Sequence, residues 1–260
     1  MKQLSVDTKF AYLGKAGSVF TPGFRRRLEK ITKFLDLQNK TILDMGCGEG
    51  VWLEEFAKYT NISSVFGSEY DNEKIDALTK KIGLKESTIL PQNIKHCPGE
   101  ALGFPSNFFD IVFHNEVLEH VQDDVKTLQE CFRVLKPNGY LVFFTPNRGW
   151  PFEQHGIFLN GKYIWGNIPL LPWLPKYFYK KFAYHVRNYS NGDIKKVIKS
   201  SSKGVEIQIV KHTRIFPGFD GMVRRLGLLG RIVRKIFFIL EGTPLNFFGI
   251  SHFIIVRKNK

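Results

Sequence analysis

A doubly wound, mostly parallel α/β sheet is the fold the sequence predicts, and three observations predict it. An apolar strand runs into an acid and three alternating glycines at Asp44-Met45-Gly46-Cys47-Gly48-Glu49-Gly50. Short apolar runs then alternate with segments of helical period through residue 144. Two later runs, near 205–211 and 251–257, can add an antiparallel edge pair. Such sheets bind ligands beyond the carboxyl ends of their strands.

Each element has a local reason. Phe24, Leu28, Ile31, Phe34 and Leu35 fall at helical spacing, predicting a helix over 24–37. Strand 41–45 follows, then a helix over 50–59 and a strand over 64–69 that ends in a second acid. A helix over 72–81, short strands over 94–97 and 110–113, and a helix over 123–135 continue the rhythm. Lys136-Pro137-Asn138-Gly139 stops that helix and precedes the strand 140–144. Residues 146–189 break the pattern with Pro, Trp, Tyr and Phe, too long for a plain connector, and read as a cap over the site. A helix over 191–200 and a basic helix over 221–241 complete the set, within a single domain spanning 1–260 whose first 37 residues form an N-terminal helical segment.

The net charge of +14 and a pI near 9.6 point to an anionic partner without choosing among phosphate, acidic lipid and nucleic acid. Three scattered cysteines have no metal-ligand spacing, and with no leader visible they predict a reducing, cytoplasmic setting. No run approaches the roughly 18 apolar residues of a spanning helix. Arg224, Arg231 and Lys235 share one stripe of the 221–241 helix, with Leu229, Val233, Ile236 and Leu240 opposite. That helix either packs on the core or lies peripherally on an anionic membrane surface.

A dinucleotide site would carry G-x-G-x-x-G, but the third glycine comes early here and Val51 stands in its place. Glycines at 46, 48 and 50 permit positive φ and close backbone approach, presenting amide N–H groups to a ligand. Ordered motifs then accumulate: 43–50, Phe66-Gly67-Ser68-Glu69-Tyr70-Asp71, Gly99-Glu100-Ala101, Phe109-Asp110-Ile111-Val112 with Val117-Leu118-Glu119-His120-Val121, and Arg133-Val134-Leu135-Lys136-Pro137-Asn138-Gly139. In these motifs the chain resembles the class I S-adenosylmethionine-dependent methyltransferases, among them the ubiquinone and menaquinone biosynthesis enzymes.

The resemblance implies S-adenosylmethionine as cofactor, with Gly46, Gly48 and Gly50 at its methionine end, Asp44 near the ammonium and Arg27 at the carboxylate. It implies Glu69 on the ribose diol, Tyr70 against the adenine, Glu100 and the Ala101 N–H at the adenine edge, and Asn115 near the sulfur. His120, with Glu119, is the candidate catalytic base, since an unperturbed imidazole titrates near 6.5. Glu116, Glu119 and His120 resemble a divalent-metal cluster of some quinone O-methyltransferases, but no metal is assigned. His155, His185, Arg187 and Tyr189 are further candidates to touch the acceptor. The expected reaction is methylation, at oxygen, of a small or lipid-linked acceptor such as a quinone precursor or glycan intermediate. An RNA methyltransferase and a membrane-associated nucleoside-binding module without turnover stay open as alternatives; nucleic acid is the weaker partner, because His114-Asn115-Glu116-Val117 replaces the Asn-Pro-Pro-aromatic motif of amino-group methylases.

Overall fold

The computed structural model describes residues 21–259, so the first part of the predicted N-terminal segment lies outside the described residues. Helix α1 (Pro22–Thr32) begins where Thr21 accepts the Phe24 N–H and Pro22 fixes the first turn. It ends five residues before the predicted limit; Leu35 and Leu37 still reach the core, from the segment that leads into the sheet. β1 (Ile42–Met45), α2 (Val51–Phe56), β2 (Val65–Glu69), α3 (Asn72–Gly83), β3 (Ile94–His96), β4 (Phe109–Asn115), α4 (Asp124–Val134) and β5 (Leu135–Pro146) follow in alternation.

The seven-stranded sheet has the order β10-β11-β5-β4-β1-β2-β3, where β10 is Ile207–Ile215 and β11 is Ser251–Lys258. β1 pairs in parallel with both β2 and β4, so Asp44 lies between Gly67 and Phe113 at the point where strand order reverses. β11 inserts antiparallel between β5 and β10, which makes β10 the edge. The central strands are buried on both faces: Leu53, Phe56 and Phe113 pack on one side, Leu128, Phe132 and Leu141 on the other.

The insertion after β5 carries two small antiparallel ladders. β6 (Phe152–Glu153) pairs with β9 (Ile168–Pro169), and β7 (Ile157–Leu159) with β8 (Lys162–Ile164). Helix α5 (Lys176–Phe182) then supplies Tyr179 to a separate cluster with Leu171, Ala183 and Val186. The Tyr189 N–H donates to Pro146 O (3.2 Å) and the Arg148 N–H to Tyr189 O (3.0 Å), closing the insertion at its base. α6 (Asn191–Ser201) starts on a full capping box between Ser190 and Asp193. α7 (Asp220–Leu240) joins β10 to β11 and is broken at Gly227 (φ 54°, ψ −120°). Among the described residues no helix is long and apolar enough to cross a membrane.

Candidate functional site

The turn after β1 is built by glycine. Gly46, Gly48 and Gly50 hold φ of 73°, 54° and 85°, and a Cβ on Gly46 would lie 2.6 Å from the Val117 side chain. The N–H groups of Gly46 and Cys47 donate to Ser68 O (2.7 and 3.0 Å), that of Gly48 to Glu69 Oε2 (2.8 Å) and that of Gly50 to Cys47 O (2.9 Å). This differs from the sequence expectation: these four amides brace the turn on itself and on β2, so the glycines contribute shape and close approach rather than donors.

Asp44 is buried at the end of β1, and among the described residues its Oδ2 has no hydrogen-bond partner. Burial, reinforced by the nearby Glu69 charge, pushes its carboxyl well above the usual range. Such an acid is stabilised by a cation brought to it. Glu69 is held differently: Oε1 accepts from the N–H groups of Tyr70 (2.8 Å) and Asp71 (3.0 Å), while Oε2 accepts from Gly48. The Tyr70 ring is 53% exposed and lies nearly parallel to His96. Glu100 Oε1 accepts the Asp123 N–H (2.9 Å), and the Ala101 N–H donates to Pro98 O (3.1 Å).

Of three consecutive arginines, the structure directs one to the site. Arg25 is exposed, Arg26 turns to Glu241, and Arg27 donates to Asn115 Oδ1, Glu116 Oε1 (2.7 Å) and Ser251 Oγ (3.2 Å). Glu116 has a positive φ of 55°, strained for a residue with a side chain, and the Ser251 hydroxyl also donates to it (2.6 Å). Burial would raise its carboxyl, but Arg27 and Ser251 prevail and keep it low.

Beyond Glu116 lies a second constellation. Glu119 is fully buried; burial and the Glu116 charge push its carboxyl well above the usual range. The Thr145 hydroxyl donates to its Oε2 (3.1 Å). His120 Nε2 and His155 Nε2 each lie 3.9 Å from Glu119 Oε1. Burial, then the neighbouring His155 and His185, hold His120 well below 6.5, so it is neutral at physiological pH. The donor atoms of Glu119, His120 and His155 fall within 4.8 Å of one another, close enough to share a divalent ion. Glu116, named with them in the sequence pattern, points to Arg27 instead.

The cap supplies what the motifs did not disclose. Glu153 Oε1 faces His155 Nδ1 (2.9 Å), and Glu153 Oε2 accepts the Tyr179 hydroxyl (2.6 Å). Burial would raise Glu153, but His155 and Tyr179 keep it low. His155 is thereby oriented from behind, with Nε2 toward Glu119. His185 Nε2 meets His155 O (2.9 Å). Arg187 donates from its backbone to Glu119 O (3.1 Å) and from its side chain to Val121 O and Gln122 O, so the segment leaving the cap pins the loop that carries Glu119 and His120. The Tyr189 hydroxyl bonds Leu118 O and Asp124. An acid two positions before a histidine in an aromatic stretch was the available signal for Glu153; its partner Tyr179 is 26 residues away and follows no spacing rule.

Strand order, the glycine turn and acids at neighbouring strand tips define a nucleoside-binding α/β protein of the class I methyltransferase fold. The methyltransferase domain family matches residues 43–143. The matched segment carries a methyltransferase domain of this family, whose methyl donor is S-adenosylmethionine. The chain is 40% identical over 105 residues to an uncharacterized methyltransferase of Schizosaccharomyces pombe, covering 38% of this chain and 37% of that one. It is 31% identical over 143 residues to a ubiquinone biosynthesis O-methyltransferase of Coxiella burnetii, covering 55% of this chain and 58% of the relative. The chain thus spans between a third and three fifths of these relatives' lengths. A solved S-adenosylmethionine-dependent methyltransferase of Mesorhizobium loti superposes with a TM-score of 0.59 over 91% of this chain and 98% of its own, at 14% identity, a likeness of fold.

Proposed function

We propose that the chain transfers a methyl group from S-adenosylmethionine to an oxygen of a small or lipid-linked acceptor, such as a quinone precursor or glycan intermediate. The single observation that carries the reading is the buried Oδ2 of Asp44, without a hydrogen-bond partner among the described residues, beside a turn of positive-φ glycines. The donor has an ammonium, a ribose diol and an adenine but no phosphate, which suits carboxylates and close backbone. Its chemistry is a sulfonium-activated methyl group.

Asp44 would receive the ammonium and ionise there, and Arg27, steadied by Asn115, the carboxylate. Glu69 would read the ribose, trading a backbone donor for a hydroxyl; the open face of Tyr70 would take the adenine, with Glu100 at its edge. Ala101 would have to release Pro98 to contribute its N–H. On the acceptor side, neutral His120 is the base that takes the hydroxyl proton, with Glu119 and His155 fixing its surroundings. The cap excludes water from this end of β4.

Calorimetry with S-adenosylmethionine tests the donor site. Asp44→Ala and Glu69→Ala should each weaken binding at least about tenfold, as expected for lost charge-assisted hydrogen bonds; unchanged affinity in both would remove them from the site. Labelled-methyl transfer into fractionated lipid, glycan and RNA extracts then tests the acceptor. Label in the lipid or glycan fraction supports the reading. Label in RNA would replace it with an RNA methyltransferase, and tight binding with no transfer would leave a nucleoside-binding module.

A further inference from the structure

Helix α7 has two apolar faces, and among the described residues only one of them packs on the protein. Its break at Gly227 folds the second segment back on the first, so closely that a Cβ on Gly230 would lie 2.8 Å from Met222 O and from Val223 Cα. Inward, Phe237 meets Phe216 and Phe219 at ring distances of 5.0 and 4.8 Å, and the Arg26 guanidinium covers Phe238. At the helix end Glu241 is gripped by Arg26, by Lys30 (2.6 Å) and by the Phe216 N–H (2.7 Å). The hairpin is therefore fixed in place.

Outward, Leu229, Ile232, Ile236 and Ile239 recur at intervals of three and four residues, which at about 100° per residue is a single stripe. They are 59%, 49%, 51% and 63% exposed, more contiguous aliphatic surface than a solvated helix carries. The stripe does not end with the helix. The turn 244–248 exposes Leu245 and Phe247, and Phe248 reaches Trp173 of the cap (6.1 Å between rings), beside exposed Tyr177 and Phe178. Around this surface stand cations: α7 holds five Arg and Lys against one acid, Asp220, which faces Arg234 (3.5 Å), and Lys180 and Lys181 are exposed on α5.

We propose that the outer face of α7, the turn 244–248 and the adjoining cap edge form one docking surface for an anionic lipid bilayer. Charge selects this occupant. A second copy of the chain would bring one basic rim against another, and a nucleic acid would leave the aliphatic stripe in water. Apolar insertion and attraction to acidic headgroups reinforce one another at a membrane interface. The proposal rests on this surface and not on the reading of the donor site, and its failure would leave that reading untouched.

The test is sedimentation of the full chain with vesicles of phosphatidylcholine, alone or mixed equally with phosphatidylglycerol. The chain should sediment with the anionic vesicles, much less with neutral ones, and less as salt rises. Ile232→Asp with Ile236→Asp, and separately Arg231→Glu with Lys235→Glu, should each lower binding by about tenfold or more. These positions are exposed, so melting temperature and S-adenosylmethionine affinity should not move. Absence of binding to anionic vesicles overturns the proposal, as does binding by both double variants equal to that of the parent chain. So does a dimer in light scattering that the Ile232→Asp, Ile236→Asp variant abolishes, which would assign the face to a second copy. RNA retention lost on charge reversal, without vesicle binding, would assign it to nucleic acid.

Discussion

At the scale of single residues the site separates into side chains that wait for a partner and side chains already committed. Asp44 belongs to the first kind, Glu69 and Glu116 to the second. The distinction was invisible in the sequence, where all three are acids in a motif. The strand-end positions of Asp44 and Glu69 were legible, the first because a strand running into glycine announces its carboxyl end, the second because an apolar run stops at the acid. The choice of Arg27 over Arg25 and Arg26 follows helical phase once α1 is placed, since successive residues point about 100° apart. His120 gives the prediction of this scale. Burial keeps its imidazole well below 6.5, so it is a neutral base throughout the physiological range. The rate of methyl transfer should therefore hold steady from pH 8 down through 6.5 and fall only in more acid solution. His120→Gln should lower kcat by about a hundredfold or more, the contribution expected of a general base, with donor affinity nearly unchanged. A pH–rate profile with its acid limb at or above 6.5, or a His120→Gln enzyme of normal kcat, would assign the proton to another group.

At the scale of elements, what could be read depended on how many residues repeat a period. The central parallel strands β1, β2, β4 and β5 and helices α2 and α4 present several buried positions each, and their predicted limits lie near those found, except that β5 begins at Leu135, five residues before the predicted start. The cap ladders β6 to β9 are two or three residues long, too short for an alternation to register. In α7 the period was legible but the orientation was not. Phe237 and Phe238 take the inner side, leaving Leu229 and Ile236 in solvent, a division that one hydrophobic pattern cannot announce. α6 shows local and tertiary signals in agreement. Ser190 Oγ accepts the Asp193 N–H (3.2 Å) and Asp193 Oδ2 accepts the Ser190 N–H (3.0 Å), while Ile194 and Ile198 bury against α4 residues such as Leu128. Ser190→Ala removes one half of this box and should cost about 1 kcal/mol in urea unfolding, with no change in donor affinity. A midpoint equal to the parent's would mean that Asp193 caps the helix alone.

At the scale of the whole molecule, buried imidazoles set the response to acid. His114 is fully buried against Phe143, and among the described residues neither ring nitrogen has a hydrogen-bond partner; burial lowers it to about 3. His252 Nε2 faces Tyr189 O (2.9 Å), a group that can only accept, so Nε2 carries the proton and Nδ1 accepts from His212 Nε2 (3.0 Å). Burial lowers His252 to about 3, and burial with the Arg214 charge lowers His212 to about 4. In the unfolded chain each would titrate near 6.5. Between about pH 6.5 and 4 the unfolded state therefore binds more protons at these sites, and stability falls as pH falls. Asp44 and Glu119, raised by burial, act in the opposite sense, but His120 and His185 are also lowered, so five imidazoles oppose two carboxyls. The melting temperature should drop steadily from pH 7 to pH 5. The loss should begin at the junction of β10, β11 and the cap base, because protonating His252 sets a donor against the His212 donor and disturbs the contact of its ring with Tyr189 O. His114→Leu, which leaves that junction intact, should flatten the slope without removing it. A melting temperature constant over this range would mean that these rings take up protons without unfolding, and that the core around β4 and β11 admits water more freely than its packing implies.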